Sequence, residues 1–137
     1  MKAPGFSLIE LLIVLVIIGI LSAIAYPSYS NYILKARRAD AMATLAQDQI
    51  ILERCYAQNF SYNSACTSLP TFPQTSTQGF YSIDLSNLGA TTYTLTATPL
   101  GTQTKDTSCS QMTVDQANDK TASDASGTAQ TSCWNPT

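Results

Sequence analysis

Glu10 is the first residue in this chain whose setting demands chemistry. It is the one ionisable group between Phe6 and Ala25, a stretch otherwise built from apolar or small residues. A carboxylate inside hydrocarbon costs roughly 3 kcal/mol on insertion scales and is usually paired or functional. It needs a cation, and the nearest is a free α-amino group at Phe6, on this chain or a neighbour, once whatever precedes Phe6 has been removed. A second group is Cys55, Cys66, Cys109 and Cys133. With no histidine and no Cys-x-x-Cys in the chain, a zinc site is the disfavoured rival, and disulfides in an oxidising compartment are expected instead. Four cysteines allow three connectivities and the sequence does not choose among them. Cys55 to Cys66 and Cys109 to Cys133 are preferred, because each closes a short local loop worth about 3 kcal/mol. A third group is the pair Lys105 and Lys120, the only cations beyond Arg54. They face Asp84, Asp106, Asp115, Asp119 and Asp124, a balance that does not favour a polyanion such as DNA, although a multimer could align them into a repeating stripe. The spacing of Asp115, Asp119 and Asp124 matches no calcium loop. No histidine base, phosphate loop or metal spacing is present, so no enzyme activity, catalytic residue, metal or cofactor is expected.

The elements that position these groups follow from pattern and length. The run from Phe6 to Ala25 is long enough to cross a hydrocarbon core of roughly 30 Å as a helix. A signal anchor or secretion signal would also be apolar, but its small-x-small cleavage site follows the apolar region, whereas Gly5 precedes it. Cleavage at Gly5 would leave the apolar segment attached. Gly19 and Pro27 are weak points for a helix, through backbone entropy in one case and a missing N–H in the other. Lys35, Arg37 and Arg38 follow the run while only Lys2 and the initiating amine precede it, which by charge alone places the C-terminal part in the cytoplasm. The cysteines and the leader outweigh that sign, because four cysteines without metal spacing have little use in a reducing cytosol.

Taken together, Gly5-Phe6-Ser7-Leu8-Ile9-Glu10-Leu11-Leu12 behind a short leader holding Lys2 resembles the class III signal of type IV prepilins. The resemblance implies cleavage between Gly5 and Phe6 by a prepilin peptidase that also N-methylates Phe6. It implies that Glu10 neutralises the Phe6 amine of an adjacent subunit during assembly, and that Gly19 and Pro27 bracket a stretch melted in the fibre. The implied life history is storage in the bacterial inner membrane, then polymerisation with copies of itself and other pilins into a surface fibre serving motility, adhesion or DNA uptake. Pseudopilins of type II secretion share this N-terminus, but major pseudopilins commonly use calcium where this chain offers a Cys109 to Cys133 bridge. Glu53-Arg54-Cys55-Tyr56 and the closing Cys133-Trp134 look most like PilE-type pilins of type IVa pili, which serve as fibre subunits or as minor pilins. A priming pilin with a DNA-binding competence role is therefore the alternative.

The expected fold is α+β. Residues 1–5 form the leader, 6–27 the membrane and fibre-core half of a long helix, and 28–56 its amphipathic half. Residues 57–137 supply the connecting loop, an antiparallel sheet and a disulfide-bounded C-terminal region. Tyr29, Tyr32, Ala36, Ala39, Ala43, Ala46 and Ile50 recur at steps of three and four and share one stripe. Either the sheet or a neighbouring subunit could cover it. Met42, Leu45, Leu52 and Tyr56 form a bulkier stripe assigned to the core of the head. Turn formers from Asn59 to Pro73 mark the connecting loop, with Tyr56, Phe60, Tyr62 and Phe72 tucked against the domain or displayed as a patch. Tyr81, Ile83 and Leu85, then Tyr93, Leu95 and Ala97, alternate with polar residues as a hairpin, and a third strand near Cys109–Asp115 turns Met112 and Val114 inward. Residues 116–132 are polar enough for disorder, and the 109–133 bridge would bound them as a loop, with Trp134 as an anchor.

Overall fold

The computed structural model describes residues 5–63, 66 and 68–135. One helix, α1, runs from Leu8 to Asn59 with Pro27 inside it. Five antiparallel strands follow in chain order across one sheet: β1 Gln74–Thr75, β2 Tyr81–Ser86, β3 Thr94–Pro99, β4 Gln111–Asp115 and β5 Lys120–Ser123. Short 3-10 helices occupy Gly101–Lys105, Thr107–Cys109 and Thr131–Trp134. The chain divides into two units, Met1–Ile33 and Leu34–Thr137.

In the first unit the apolar side chains of α1 from Leu8 to Tyr32 are exposed, and Ile33 is half-buried. This segment is long and apolar enough to cross a membrane. In the second unit α1 buries Ala41, Leu45 and Leu52 in one core with Tyr81, Ile83, Tyr93, Leu95, Ala97, Met112 and Val114. The bulky stripe is thus the core stripe, with Met42 and Tyr56 packed at its margin. The stripe carrying Ala36, Ala39, Ala43 and Ala46 points to solvent, and Tyr32 and Ile50 on it are 69% and 61% exposed. The open question about the alanines is answered in part: the sheet does not cover them.

The hairpin pairs Ile83 with Ala97 and Leu85 with Leu95, and β4 sets Val114 beside Leu95 and Met112 beside Ala97. Inward residues therefore stack in rows across strands, the arrangement that period-two alternation demands. In the β2–β3 turn Asn87 adopts a positive φ of 51°, which asparagine tolerates better than most residues. A Cβ at Gly89 would lie 2.6 Å from Thr92 Oγ1, so that position has little room for a side chain.

Three expectations are corrected. The helix continues past Tyr56 to Asn59, whose side-chain amide donates to the Cys55 carbonyl at 3.2 Å and so supplies one of the carbonyl partners a helix end lacks. The 116–132 region is not simply a bounded loop: Lys120–Ser123 forms β5, pairing Met112 with Ala122 and Thr113 with Thr121. The two-residue β1, which the loop pattern concealed, pairs Gln74 with Ile83. Both outer edges are blunted, β1 by its brevity and β5 by the following chain, where Gln130 N donates to Ala122 O at 2.8 Å and Trp134 Nε1 to Thr121 O at 2.9 Å.

Candidate functional site

At the N-terminal end the sequence Ser7-Leu-Ile-Glu10 closes a reciprocal cap. Ser7 N and Oγ donate to Glu10 Oε2 at 3.1 and 3.2 Å, and Glu10 N donates to Ser7 Oγ at 3.3 Å. This is a capping box, which satisfies donors that the first helical turn cannot pair internally. The expected partner of Glu10 was a cation alone. The role of Ser7 was missed although Ser-x-x-Glu before an apolar run is its recognisable signal. Gly5 and Phe6 lie just before the helix, and Phe6 is exposed. A Cβ on Gly19 would meet nothing within 4 Å, so packing inside this chain does not require glycine there. Pro27 is accommodated within α1.

In the head both preferred disulfides are present, Cys55 to Cys66 and Cys109 to Cys133. The second straps the chain end onto the sheet: Cys109 and Cys133 are fully buried, and Trp134 packs against the core. Lys120 on β5 places its ammonium 5.4 Å from the centre of the Trp134 ring. Together with Gln130 and Thr131 they line an open groove of about 220 Å³. Lys105 ends the 3-10 helix Gly101–Lys105 and is exposed. The two lysines belong to different segments, and each stands clear of the core.

The acidic balance read from the sequence changes on folding. Asp106 is buried in a two-bond pair with Arg38, from Nε at 2.7 Å and Nη2 at 2.8 Å. Asp115 Oδ1 accepts from Ala117 N and Asp119 N, both at 2.9 Å. Asp124 Oδ1 accepts from Thr128 N at 2.9 Å and Ser126 N at 2.8 Å. These backbone donors, Thr128 first, hold the Asp124 carboxyl below the usual carboxylate range. Such carboxylates build turns. Among the described residues no three His, Cys, Asp or Glu side chains gather as a metal site would require.

Three acidic residues of α1 organise what lies against them. Asp40, buried, accepts from Ser76 Oγ, from Gln78 N at 3.0 Å and from Phe80 N at 3.4 Å, shaping the turn before β2. Asp48 accepts from Gln74 Nε2 at 2.6 Å, while burial pushes its carboxyl above the ordinary value of 3.8. Glu53 accepts from Tyr62 OH at 2.9 Å and Tyr93 OH at 3.3 Å. Tyr62 stacks on Tyr56 at 4.7 Å and meets Tyr93 edge-on at 4.8 Å. Burial pushes the Tyr62 and Tyr93 phenols up, assisted by Glu53, and raises Tyr81 to about 12. Of the four loop aromatics only Phe60 is displayed: it is 80% exposed and holds a positive φ of 53° at the end of α1.

The comparisons agree with this architecture. The N-terminal 26 residues match the prokaryotic N-terminal methylation motif. Residues 27–113 match the family described as "Type IV minor pilin ComP, DNA uptake sequence receptor". The type IV major fimbrial protein FimA of Dichelobacter nodosus is 49% identical over 51 residues, 37% of this chain and 33% of that protein. The matched stretch thus spans about a third of that relative's length. A fimbrial protein of Neisseria meningitidis is 31% identical over 103 residues, 74% of this chain and 60% of its own length. The crystal structure of the N. meningitidis non-core minor pilin PilV superposes with a TM-score of 0.57 at 19% identity, covering 74% of this chain and 97% of that one, a likeness of fold. The fold and family are those of structural proteins. With one motif covering its apolar start and the other most of its head, this chain is a type IV pilin and belongs to the family described as type IV minor pilin ComP, DNA uptake sequence receptor.

Proposed function

We propose that the chain is a structural subunit of a type IV pilus, held in the inner membrane through residues 6–25 and then drawn into a helical fibre. Cleavage falls between Gly5 and Phe6, prepilin peptidase methylates the new Phe6 amine, and Glu10 sets register by meeting that amine on a neighbouring subunit. The observation that carries this reading is the wholly exposed apolar stretch of α1 with one carboxylate at its start. An apolar helix face without partners must be covered by lipid or by other helices. A carboxylate held among such helices is costly unless it meets a positive charge, so only the register that supplies one is favoured. Gly19 and Pro27 make the intervening helix easy to loosen as the subunit changes surroundings. Replacing Glu10 by Ala is expected to leave the subunit stable in the membrane and to cut its recovery in sheared fibres about tenfold or more, given the size of the penalty removed from wrong registers. Ordinary incorporation of that variant would refute the register mechanism.

DNA capture by a minor subunit is the second reading, favoured by the family match over residues 27–113. Asp106 is buried in its pair with Arg38, so that carboxylate is not among those exposed with Lys105 and Lys120. Phosphate contacts of this kind weaken with salt. Reversing Lys105 and Lys120 to Glu is expected to abolish salt-sensitive DNA retention by whole filaments, and retention unchanged by both reversals would remove those lysines from the contact.

A further inference from the structure

Gln103 is fully buried, and its side-chain amide donates to the main-chain carbonyl of Leu34 at 2.9 Å. The same nitrogen lies 2.9 Å from Tyr81 OH and 3.4 Å from Asp106 Oδ2. Asp106 in turn holds Arg38 by two bonds, and both residues are almost fully buried. One turn of α1, Leu34 to Arg38, is therefore gripped by the 3-10 segment that begins at Gly101 and is braced by β2 through Tyr81. Arg37 adds an outer tie, donating to Thr102 Oγ1 at 3.0 Å and lying 4.3 Å over the Phe80 ring. The contrast with the preceding helix is abrupt: among the described residues from Leu11 to Ile33, no side chain makes a hydrogen bond or ion pair.

We propose that the Arg38–Asp106–Gln103 cluster is a stop for helix unwinding, which confines any loss of helix to residues before Leu34 and lets the head keep its fold. Loosening that begins near Gly19 or Pro27 can spread turn by turn, because up to Ile33 each further residue gives up backbone propagation and no side-chain hydrogen bond or ion pair. At Leu34 the situation changes. Unwinding that turn breaks the Gln103 tie to the carbonyl and draws Arg38 away from Asp106, leaving a buried charge without its partner. Gly19 and Pro27 set where the helix is weak, whereas the Leu34 turn is where side-chain bonds begin to oppose further unwinding. The role during passage from membrane to fibre rests on the pilus reading above, but the stop itself is a property of one subunit.

The test is amide hydrogen exchange on the full-length mature chain in detergent micelles, read over residues 28–33, 34–41, 42–59 and the strands. The expected wild-type result is a step at Leu34, with 34–41 exchanging about tenfold or more slowly than 28–33, the scale of one charge-assisted hydrogen bond. Two variants follow: Gln103→Leu, which removes the carbonyl tie, and Arg38→Met with Asp106→Leu, which removes the pair without stranding a charge. Both are expected to bring exchange in 34–41 toward that of 28–33 while the strands stay protected. If the paired variant loses protection in the strands as well, Gln103→Leu decides, since it retains the ion pair. No step in the wild type, or a step unmoved in Gln103→Leu, overturns the proposal. A chain that shows the step yet never enters fibres would refute the pilus reading and leave the stop standing.

Discussion

The two halves of α1 are covalently one helix and physically two. Before Leu34 no described side chain beyond Glu10 makes a hydrogen bond or ion pair, and the sequence up to Ala25 is a nearly uniform apolar run broken by Glu10. After it, the helix buries not only Leu45 and Leu52 but also Arg38, Asp40 and Asp48, each bonded to a residue far along the chain. The first half depends on surroundings that a single chain does not contain, and the second carries its surroundings with it. The pair teaches that helical hydrogen bonding sets the shape of both halves, while the partners of the side chains decide which half can exist alone.

The sharpest way to break this comparison is to strand a charge in the head. Asp106→Ala leaves Arg38 buried without a partner and is expected to cost about 3–5 kcal/mol, read as a lower thermal midpoint of the head. A midpoint unchanged by that variant would mean that the head does not rely on its buried pair. Removing the strap by Cys109→Ser with Cys133→Ser is expected to cost about 3 kcal/mol in the loop-closure picture. Urea unfolding should show it as a lower midpoint, with the helix before Leu34 unaffected in circular dichroism of micelles. Gly19→Ala works in the other half: the position is open, so the substitution should favour helix by about 1 kcal/mol and leave the midpoint of the head where it was. A shift in that midpoint would show that the halves are energetically coupled.

The smallest expected effect is at Asp48. Burial raises its carboxyl above 3.8, so the folded state holds the Asp48 proton more tightly than the unfolded chain does. The stability this proton contributes is fully present below about pH 3.8 and is lost as pH rises through the folded value. At neutral pH the ionised carboxylate therefore costs the fold something. Asp48→Asn keeps an acceptor for Gln74 and is expected to stabilise the head at pH 7 by on the order of 0.5 kcal/mol, an ordinary size for a favourable substitution. That gain should vanish in urea titrations near pH 3, and a gain independent of pH would assign it to something other than the carboxylate.

Legibility tracked periodicity. Helix α1, the hairpin and β4 were readable because their apolar residues recur at helical or alternating spacing, and the structure turns Tyr81, Ile83, Leu95, Met112 and Val114 inward as that spacing requires. Strand β5 was not, because Lys120-Thr-Ala-Ser contains one apolar residue and so carries no alternation to detect. The register against β4 and the strap through Cys133 and Trp134 make it a strand. At the N-terminal end Glu10 was legible from its unlikely neighbours, whereas its cap by Ser7 required the rule for the first turn as well as the carboxylate.

The sequence by itself determined that an apolar segment with one carboxylate leads into a small disulfide-stapled head, because length, hydropathy and cysteine count are properties of the chain and do not depend on how it folds. Only the tertiary structure decided that the alanine stripe faces outward and that Arg38 and Asp106 lie inside. Local pattern sends charges to solvent. What reverses that at Arg38 is a partner 68 positions away, and the energy of a buried pair exists only once the fold has brought the two together.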